Sequence, residues 1–146
     1  MIYGIVGHEG AKFTGVTEGI ARAKIQMLLA GDDFTPRASK VVSGKCHLGG
    51  VDVWAIEEAR AMGIATQEFP PRAYSWTYGY KPRNMLIAEN CDYVVSIVVK
   101  ELPTTYAGMR FNYCYHCLTD SHVKSGGCWT AKYAREIGKA ARIIEI

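Results

Sequence analysis

Residues 93–99, YVVSIVV, form an almost uninterrupted run of β-branched side chains. A strand with one face in water alternates apolar and polar residues, and this run does not. Continuous apolar strands are typical of parallel sheets whose two faces are both covered by helices. The run therefore indicates the α/β class and predicts a central strand.

Shorter apolar runs predict the remaining strands, at residues 2–6, 40–43, 64–69 and 142–146. Apolar residues recur at helical spacing over residues 15 to about 30, 52–62, 83–90 and 128–137. An irregular insertion at about residues 100–124 shows neither periodicity. The alternation of strand and helix predicts a three-layer α/β sandwich with a mostly parallel five-stranded sheet in the order 3-2-1-4-5.

Length and composition limit the domain count and the partners. A chain of 146 residues, 49% of them hydrophobic, can bury one good core, so residues 1–146 are expected to form a single domain. The net charge of +3 is small and acids and bases are interspersed, which argues against a nucleic-acid or membrane partner. Since no segment has the ~20 apolar residues of a membrane span and the N-terminus lacks a signal-peptide pattern, we expect a cytoplasmic protein.

Two glycine-rich turns, residues 43–50 and 125–127, each follow an apolar or irregular segment and precede a predicted helix. The first backbone N–H groups of a helix have no partner within it, and the helix dipole places partial positive charge there. Such a turn suits a phosphate or a carboxylate. In a parallel sheet both turns are expected at the carboxyl edge, where ligands bind. The alternative is that the glycines serve only to make the turns.

The loop at residues 70–82 is unusually aromatic, with Tyr74, Trp76, Tyr78 and Tyr80. These rings can form a stacking wall for a nucleotide base, bury a subunit contact, or pack over the edge of the domain's own core. We expect self-association, most simply a homodimer.

Cysteine and histidine residues cluster in and after the insertion. Cys114 and Cys117 have the C-x-x-C spacing that lets two thiolates reach one tetrahedral ion, and His122 follows. These three residues predict a structural zinc site with Cys128 or His116 as the fourth ligand. Cys46 or His47 in the neighbouring turn are alternative ligands, and ordinary buried cysteines are the competing interpretation.

Three segments in this order, SGKCHLGGVDVWAIEEARAMGI, KPRNMLIAENCDYVV and SGGCWTAKYAREIGK, resemble the SLOG superfamily of Rossmann-like nucleotide-binding proteins. The similarity is greatest to its YspA-like branch and extends to the lonely-guy phosphoribohydrolases. It covers almost the whole chain apart from the insertion.

The resemblance implies a nucleotide site and the residues that would form it. Arg83 and Asn84 would open the helix before the fourth strand, and the last glycine turn would hold a phosphate. The full set of implied ligand-binding residues is Gly7, His8, Ser43, Gly44, Gly49, Gly50, Asp52, Arg83, Asn84, Ser125, Gly126, Gly127 and Thr130.

The chain departs from the phosphoribohydrolase pattern at the catalytic position. Where that family resembles Pro-Gly-Gly-x-Gly-Thr-x-x-Glu, Trp129 replaces a glycine and Tyr133 stands at the position of the glutamate. Glu136 lies about 4.5 Å further along the predicted helix, by the ~1.5 Å rise per residue. Glu136 and Asp52 are the candidate catalytic residues, with Glu9 as a further carboxylate.

Three functions are consistent with these features. The first is a sensor or carrier that binds a nucleotide or a nucleotide-derived metabolite at the carboxyl edge of the sheet. The second is an N-glycosidic hydrolase that acts on a nucleoside monophosphate. The third is a zinc-stabilised interaction module. We favour the first because no obvious catalytic pair is present in the sequence.

Overall fold

The computed structural model of the chain describes residues 1–110 and 112–146. Five parallel strands form its sheet: β1 Ile2–Gly7, β2 Lys40–Gly44, β3 Ala65–Phe69, β4 Tyr93–Val98 and β5 Ala140–Glu145. Their order is β3-β2-β1-β4-β5, and every neighbouring pair is parallel. The predicted fold class and strand order are confirmed.

Four helices cover the two faces of the sheet: α1 Gly15–Ala30, α2 Val51–Ala61, α3 Lys81–Glu89 and α4 Gly126–Glu136. Buried apolar residues of α1 and α2 pack on one face, against Tyr3, Ile5 and Val95. Those of α3 and α4 pack on the other face, against Val42 and Val94. The continuous apolar sequence of β4 therefore arises because both of its faces are covered.

Two short helical segments lie within the connections that follow β1 and β3. A 3₁₀ turn, Gly10–Lys12, follows β1, and a π-helical turn, Trp76–Tyr80, leads directly into α3. π-helical turns are rare and occur often at functional sites.

Several element boundaries differ from the sequence prediction. α4 begins at Gly126, two residues earlier than expected, because Ser125 Oγ accepts a hydrogen bond from Gly127 N–H over 3.0 Å and caps the helix. β5 begins at Ala140 because Gly138, with φ of +82°, turns the chain into the strand directly after α4. α3 begins at Lys81 as a continuation of the π-helical turn.

The insertion at residues 100–124 contains neither a helix nor an extended strand in its described part. It lies between β4 and α4, so it emerges at the carboxyl edge of the sheet. None of the helices in the described ranges is both long enough and apolar enough to cross a membrane.

Candidate functional site

A cavity of about 710 Å³ lies at the carboxyl edge of the sheet. Its walls come from the loop after β1, the turn between β2 and α2, the start of α3, the insertion and the start of α4. Its volume falls in the ordinary range for small-molecule sites, about 300 to 1,000 Å³. The crossovers of a parallel sheet bring these distant segments together at this edge.

Arg83 and Asp52 form a buried charged pair in the cavity wall. Arg83 Nη1 lies 3.6 Å from Asp52 Oδ2, and both side chains are more than 90% buried. Asp52 Oδ1 accepts a hydrogen bond from Gly7 N–H over 3.3 Å. A side chain at Gly44 would overlap both members of the pair, so the glycine at the end of β2 makes room for them.

The Arg83 guanidinium is only partly satisfied by the protein. Its Nε donates to Asn84 Oδ1 over 2.8 Å, and its Cζ lies 5.6 Å from the centre of the Tyr80 ring. Its Nη1 is buried and has no hydrogen-bond partner among the described residues. A buried donor without a partner is uncommon and costly, and a ligand oxygen acceptor would satisfy it.

Burial raises the pKa of Asp52 to about 6, and the positive charge of Arg83 opposes this shift. The carboxyl group is therefore ionised at neutral pH and gains its proton in mildly acidic solution. The other acidic group in the cavity wall is Glu9, which pairs with Lys12 over 3.7 Å.

His8 lies in the cavity wall, but the protein backbone occupies both nitrogens of its ring. Its Nδ1 accepts a hydrogen bond from Val99 N–H over 3.0 Å, which requires that nitrogen to be unprotonated. Its Nε2 therefore carries the proton and donates to the Lys124 carbonyl oxygen over 3.0 Å. Burial lowers the pKa of His8 to about 4. The neutral ring joins the residues that follow β1 and β4 to the end of the insertion, and both of its nitrogens are occupied by the backbone.

The start of α4 forms another part of the cavity wall. Ser125, Gly126 and Gly127 line the cavity, and Asn84 Nδ2 lies 3.5 Å from the Gly126 carbonyl oxygen. A side chain at Gly127 would come within 2.6 Å of Ser96 Oγ and 3.0 Å of Gly7 N. A Cβ atom at Gly126 would meet nothing closer than 3.5 Å, so of the two glycines only Gly127 is required for close packing.

Other residues implied by the resemblance lie behind the cavity surface. Ser43 is fully buried and its Oγ donates to the Ile5 carbonyl oxygen. Thr130 Oγ1 donates within its own helix, to the Gly126 carbonyl oxygen over 2.9 Å. Gly49 and Gly50 adopt positive φ angles of 70° and 89° and shape the turn into α2. From this turn, Cys46 and Leu48 line the cavity instead.

The two candidate catalytic carboxylates are in different places. Asp52 lines the cavity, as does Glu9. Glu136 is the exposed last residue of α4, at the opposite end of the helix from the glycines that line the cavity. The structure does not bring Glu136 to the cavity.

Aromatic side chains form a further part of the wall. Trp76 and Trp129 both line the cavity, with ring centres 5.1 Å apart and planes at 86°. Trp129 also stacks on Tyr133, with centres 5.4 Å apart. The two residues that break the phosphoribohydrolase pattern therefore form a continuous aromatic surface with Trp76. Flat apolar rings of this kind suit a planar base.

Eight cavity-lining residues were not among the ligand-binding, catalytic or aromatic-loop residues selected from the sequence. They are Val6, Lys12, Cys46, Leu48, Tyr115, His116, Lys124 and Trp129. Lys124 and Tyr115 are also in contact, since Lys124 Nζ donates to the Tyr115 hydroxyl over 3.3 Å. Two sequence signals lie next to these residues, the C-x-x-C motif around Tyr115 and His116 and the glycine turn at the start of α4.

A cluster of four potential metal ligands lies beside the cavity. The ligand atoms of Cys114, Cys117, His122 and Cys128 are all within 4.8 Å of one another. Cys128 Sγ lies 3.5 Å from His122 Nε2, close to the ~3.6 Å expected for sulfur and nitrogen ligands of one tetrahedral zinc ion. The cluster can hold a metal ion such as zinc.

The local backbone and the surroundings of His122 suit such an ion. Cys114 and Thr119 pair through two backbone hydrogen bonds of 2.8 and 3.2 Å, which folds the C-x-x-C segment into a tight knuckle. Glu145 Oε2 lies 3.3 Å from His122 Nδ1. His122 Nδ1 has no hydrogen bond to a described residue, so Glu145 contacts it without one. A carboxylate in this position is the usual outer partner of a metal-binding histidine.

The other proposed ligands are elsewhere. His116 lines the cavity, and its ring lies against Tyr115 with centres 4.4 Å apart. His47 stacks on Tyr74 with centres 4.0 Å apart, and Cys46 lines the cavity. Cys128 is therefore the fourth member of the cluster. Burial raises the pKa of the thiols of Cys117 and Cys128.

Comparison with protein-family models, with curated proteins and with solved structures finds no match to the chain.

Proposed function

We propose that the protein binds a nucleotide or a nucleotide-derived metabolite in this cavity, as a carrier or a sensor. The observation that supports this proposal most directly is the buried guanidinium of Arg83, whose Nη1 has no hydrogen-bond partner in the described part of the chain. A phosphate oxygen provides both the acceptor and the negative charge that this group needs. The SLOG resemblance is part of the same proposal.

The surrounding charges support an anionic ligand. The cavity wall contains three cationic side chains, Arg83, Lys12 and Lys124, against the two carboxylates of Asp52 and Glu9. The start of α4 also lines this cavity and adds the partial positive charge of a helix N-terminus.

The aromatic surface supports a ligand with a planar base. Trp76 and Trp129 lie in the same cavity as the cationic groups. A nucleotide would place its phosphate beside Arg83 and its base against these rings, so it would contact both the cationic groups and the aromatic surface. Inorganic phosphate would contact only the cationic groups. The cavity volume of about 710 Å³ admits a nucleotide.

The test is to identify small molecules that remain bound to the purified protein. Mass spectrometry of the material released on denaturation should detect a phosphorylated compound with a planar base from the wild type and less of it from Arg83→Ala. Equal amounts from both proteins, or a compound without phosphate, would count against this binding mode.

One observation favours an N-glycosidic hydrolase as the second candidate. Asp52 is a buried carboxyl group in the cavity wall with a pKa raised to about 6, and such groups serve as general acids and bases. Chromatography of nucleoside monophosphates after incubation with the protein would show free base if this function is correct. Asp52→Asn should then abolish the release.

We further propose that the metal ion in the Cys114, Cys117, His122 and Cys128 cluster is zinc in a structural role. Three thiolates and one imidazole complete a tetrahedral zinc shell and leave no open position for water. Metal analysis of protein purified without added metal should find about one zinc per chain. Cys117→Ser should lower this content, and Cys46→Ser, which changes a cysteine outside the cluster, should not.

A further inference from the structure

The insertion, residues 100–124, has little regular structure to hold its conformation. In its described part, the bridge between Cys114 and Thr119 is the single strand-like pairing, and Arg110 donates to backbone carbonyls of residues 103, 104 and 106. A connection of about 25 residues without helices or strands needs a further constraint if it is to keep one structure in a compact domain.

The metal cluster provides such a constraint because it joins the insertion to the core. Cys114, Cys117 and His122 belong to the insertion, whereas Cys128 is the third residue of α4. The Cys114 and Cys128 side chains also pack together against Val98 at the end of β4. One ion bound to all four ligands fixes the knuckle, the end of the insertion and the start of α4 relative to each other.

The segments fixed in this way are also a wall of the cavity. Tyr115 and His116 lie between the first two ligands, Lys124 follows the third by two residues, and all three line the cavity. On the other side of the cluster, Gly127 lines the cavity and is directly followed by Cys128. Every ligand of the metal is therefore within two residues of a side chain or backbone that lines the cavity.

We infer that the metal centre builds this wall of the ligand cavity, so that ligand affinity depends on the bound metal ion. The inference rests on the proposed function, since it takes the cavity as the ligand site. Without the ion, binding of a ligand must also order the knuckle and residues 121–125, and each ordered residue carries an entropic cost. We expect metal removal to weaken nucleotide binding at least tenfold.

The experiment compares the full chain loaded with zinc, after removal of zinc by a chelator, and after zinc is restored. Isothermal titration with AMP, GMP, CMP and UMP measures ligand affinity in each state. Hydrogen–deuterium exchange measures how readily the backbone of this wall opens, and it needs no ligand. We expect exchange to become faster in residues 112–125 on metal removal, with β1 and α1 unchanged, and both exchange and affinity to recover with zinc.

Two results would overturn the inference: exchange in residues 112–125 that does not change on metal removal, or nucleotide affinity that is equal in the loaded and metal-free protein. Absence of binding by the zinc-loaded protein would instead contradict the proposed function for these nucleotides, and the exchange result would then decide the role of the metal alone. General unfolding would appear as faster exchange in β1 as well.

A milder variant separates the role of the metal from the folding of the chain. Glu145→Gln keeps all four ligands and removes the negative charge beside His122. It should raise the zinc dissociation constant by about 10-fold or more, because loss of the outer partner of a metal-binding histidine weakens metal binding. At a zinc concentration that saturates the wild type but not this variant, nucleotide affinity should fall with occupancy and return to the wild-type value at saturating zinc. Affinity that does not follow occupancy would contradict the coupling.

Discussion

Arg83 Nη1 lies 3.6 Å from Asp52 Oδ2, within the range of an ion pair but beyond that of a hydrogen bond. The carboxylate therefore balances part of the guanidinium charge without occupying its Nη1 donor. This relationship leaves the buried Nη1 donor without a hydrogen-bond acceptor. If the proposed anion binds there, its affinity should depend on the protonation of Asp52.

Anion binding should strengthen as Asp52 is protonated. The pKa of Asp52 is raised to about 6, so the carboxylate is charged at pH 7.5 and largely neutral at pH 5. Sulfate is a suitable probe because it does not change its charge over this range. Its affinity should rise about tenfold on going from pH 7.5 to pH 5, because repulsion by the carboxylate is removed.

Asp52→Asn is the matched control for this pH dependence. The amide oxygen can still accept the hydrogen bond from Gly7 N–H, and the residue cannot ionise. The variant should show a much smaller rise in sulfate affinity than the wild type, and His116, which also lines the cavity, accounts for the remainder. A wild-type affinity that does not vary with pH would show that Asp52 does not act on the bound anion.

The two adjacent glycines at the start of α4 should respond differently to substitution. A Cβ atom at Gly126 would meet no atom closer than 3.5 Å, so Gly126→Asp should retain the fold and add a carboxylate to the cavity wall. Its nucleotide affinity should fall at least tenfold through charge repulsion. Gly127→Ala brings a methyl group within 3.0 Å of Gly7 and Ser96 and should lower the free energy of unfolding by about 1 to 3 kcal/mol.

Thermal melting and nucleotide titration of both variants check this contrast. If Gly126→Asp melts and binds like the wild type, the start of α4 does not contact the phosphate. A melting temperature of Gly127→Ala equal to that of the wild type would contradict the close packing of α4 on β1.

The pH dependence of stability should contain a contribution from His8. Its pKa is lowered to about 4 in the folded protein from an ordinary value of 6.5. The unfolded chain therefore gains the proton first, so this contribution is complete above pH 6.5 and is lost as the pH falls towards 4. The shift corresponds to about 3 kcal/mol in the free energy of unfolding.

Urea unfolding at several pH values, for the wild type and His8→Asn, measures this contribution. The asparagine can accept the hydrogen bond from Val99 N–H but does not titrate. The difference in stability between the two proteins should shrink between pH 6.5 and pH 4. A constant difference over that range would contradict the assignment of His8 as a buried neutral ring.

Self-association remains a prediction from the aromatic loop. Tyr74 and Tyr78 are 70% and 77% exposed, whereas Trp76 and Tyr80 also line the cavity. Sedimentation should show a dimer at micromolar concentration, and changing both tyrosines to serine should shift it to the 16.1 kDa monomer. Phe34→Ser, which removes an exposed ring outside this loop, is the control. A monomeric wild type would refute this prediction.

The fold could be predicted from the sequence because its main signals are local. The β-branched run at residues 93–99 indicates a strand covered on both faces, and amphipathic helices between the strands imply parallel pairing. Boundaries were less accurate where a side chain decides them, as Ser125 does at the start of α4.

The candidate site could be predicted only in part, because side-chain direction is not a property of residue spacing. The sequence resemblance placed Ser43 in the ligand-binding turn, whereas its hydroxyl group donates a hydrogen bond to the Ile5 carbonyl oxygen in β1. From the same turn, Cys46 lines the cavity instead. The approach of Cys128 to the insertion depends on how residues 100–124 fold back, and periodicity says nothing about that segment. The C-x-x-C spacing nevertheless predicted that Cys114 and Cys117 lie together, and both belong to the cluster.

The most direct test of nucleotide binding through Arg83 is isothermal titration of the wild type, Arg83→Ala and Arg60→Ala with nucleoside mono-, di- and triphosphates. Arg60 is the matched control because it is an arginine that is 63% exposed and does not line the cavity. The wild type and Arg60→Ala should bind the same nucleotide equally, and Arg83→Ala should lose about 1.5 to 3 kcal/mol, roughly 10- to 150-fold in affinity. Equal affinity of Arg83→Ala and the wild type, with the variant folded by circular dichroism, would contradict the proposed site.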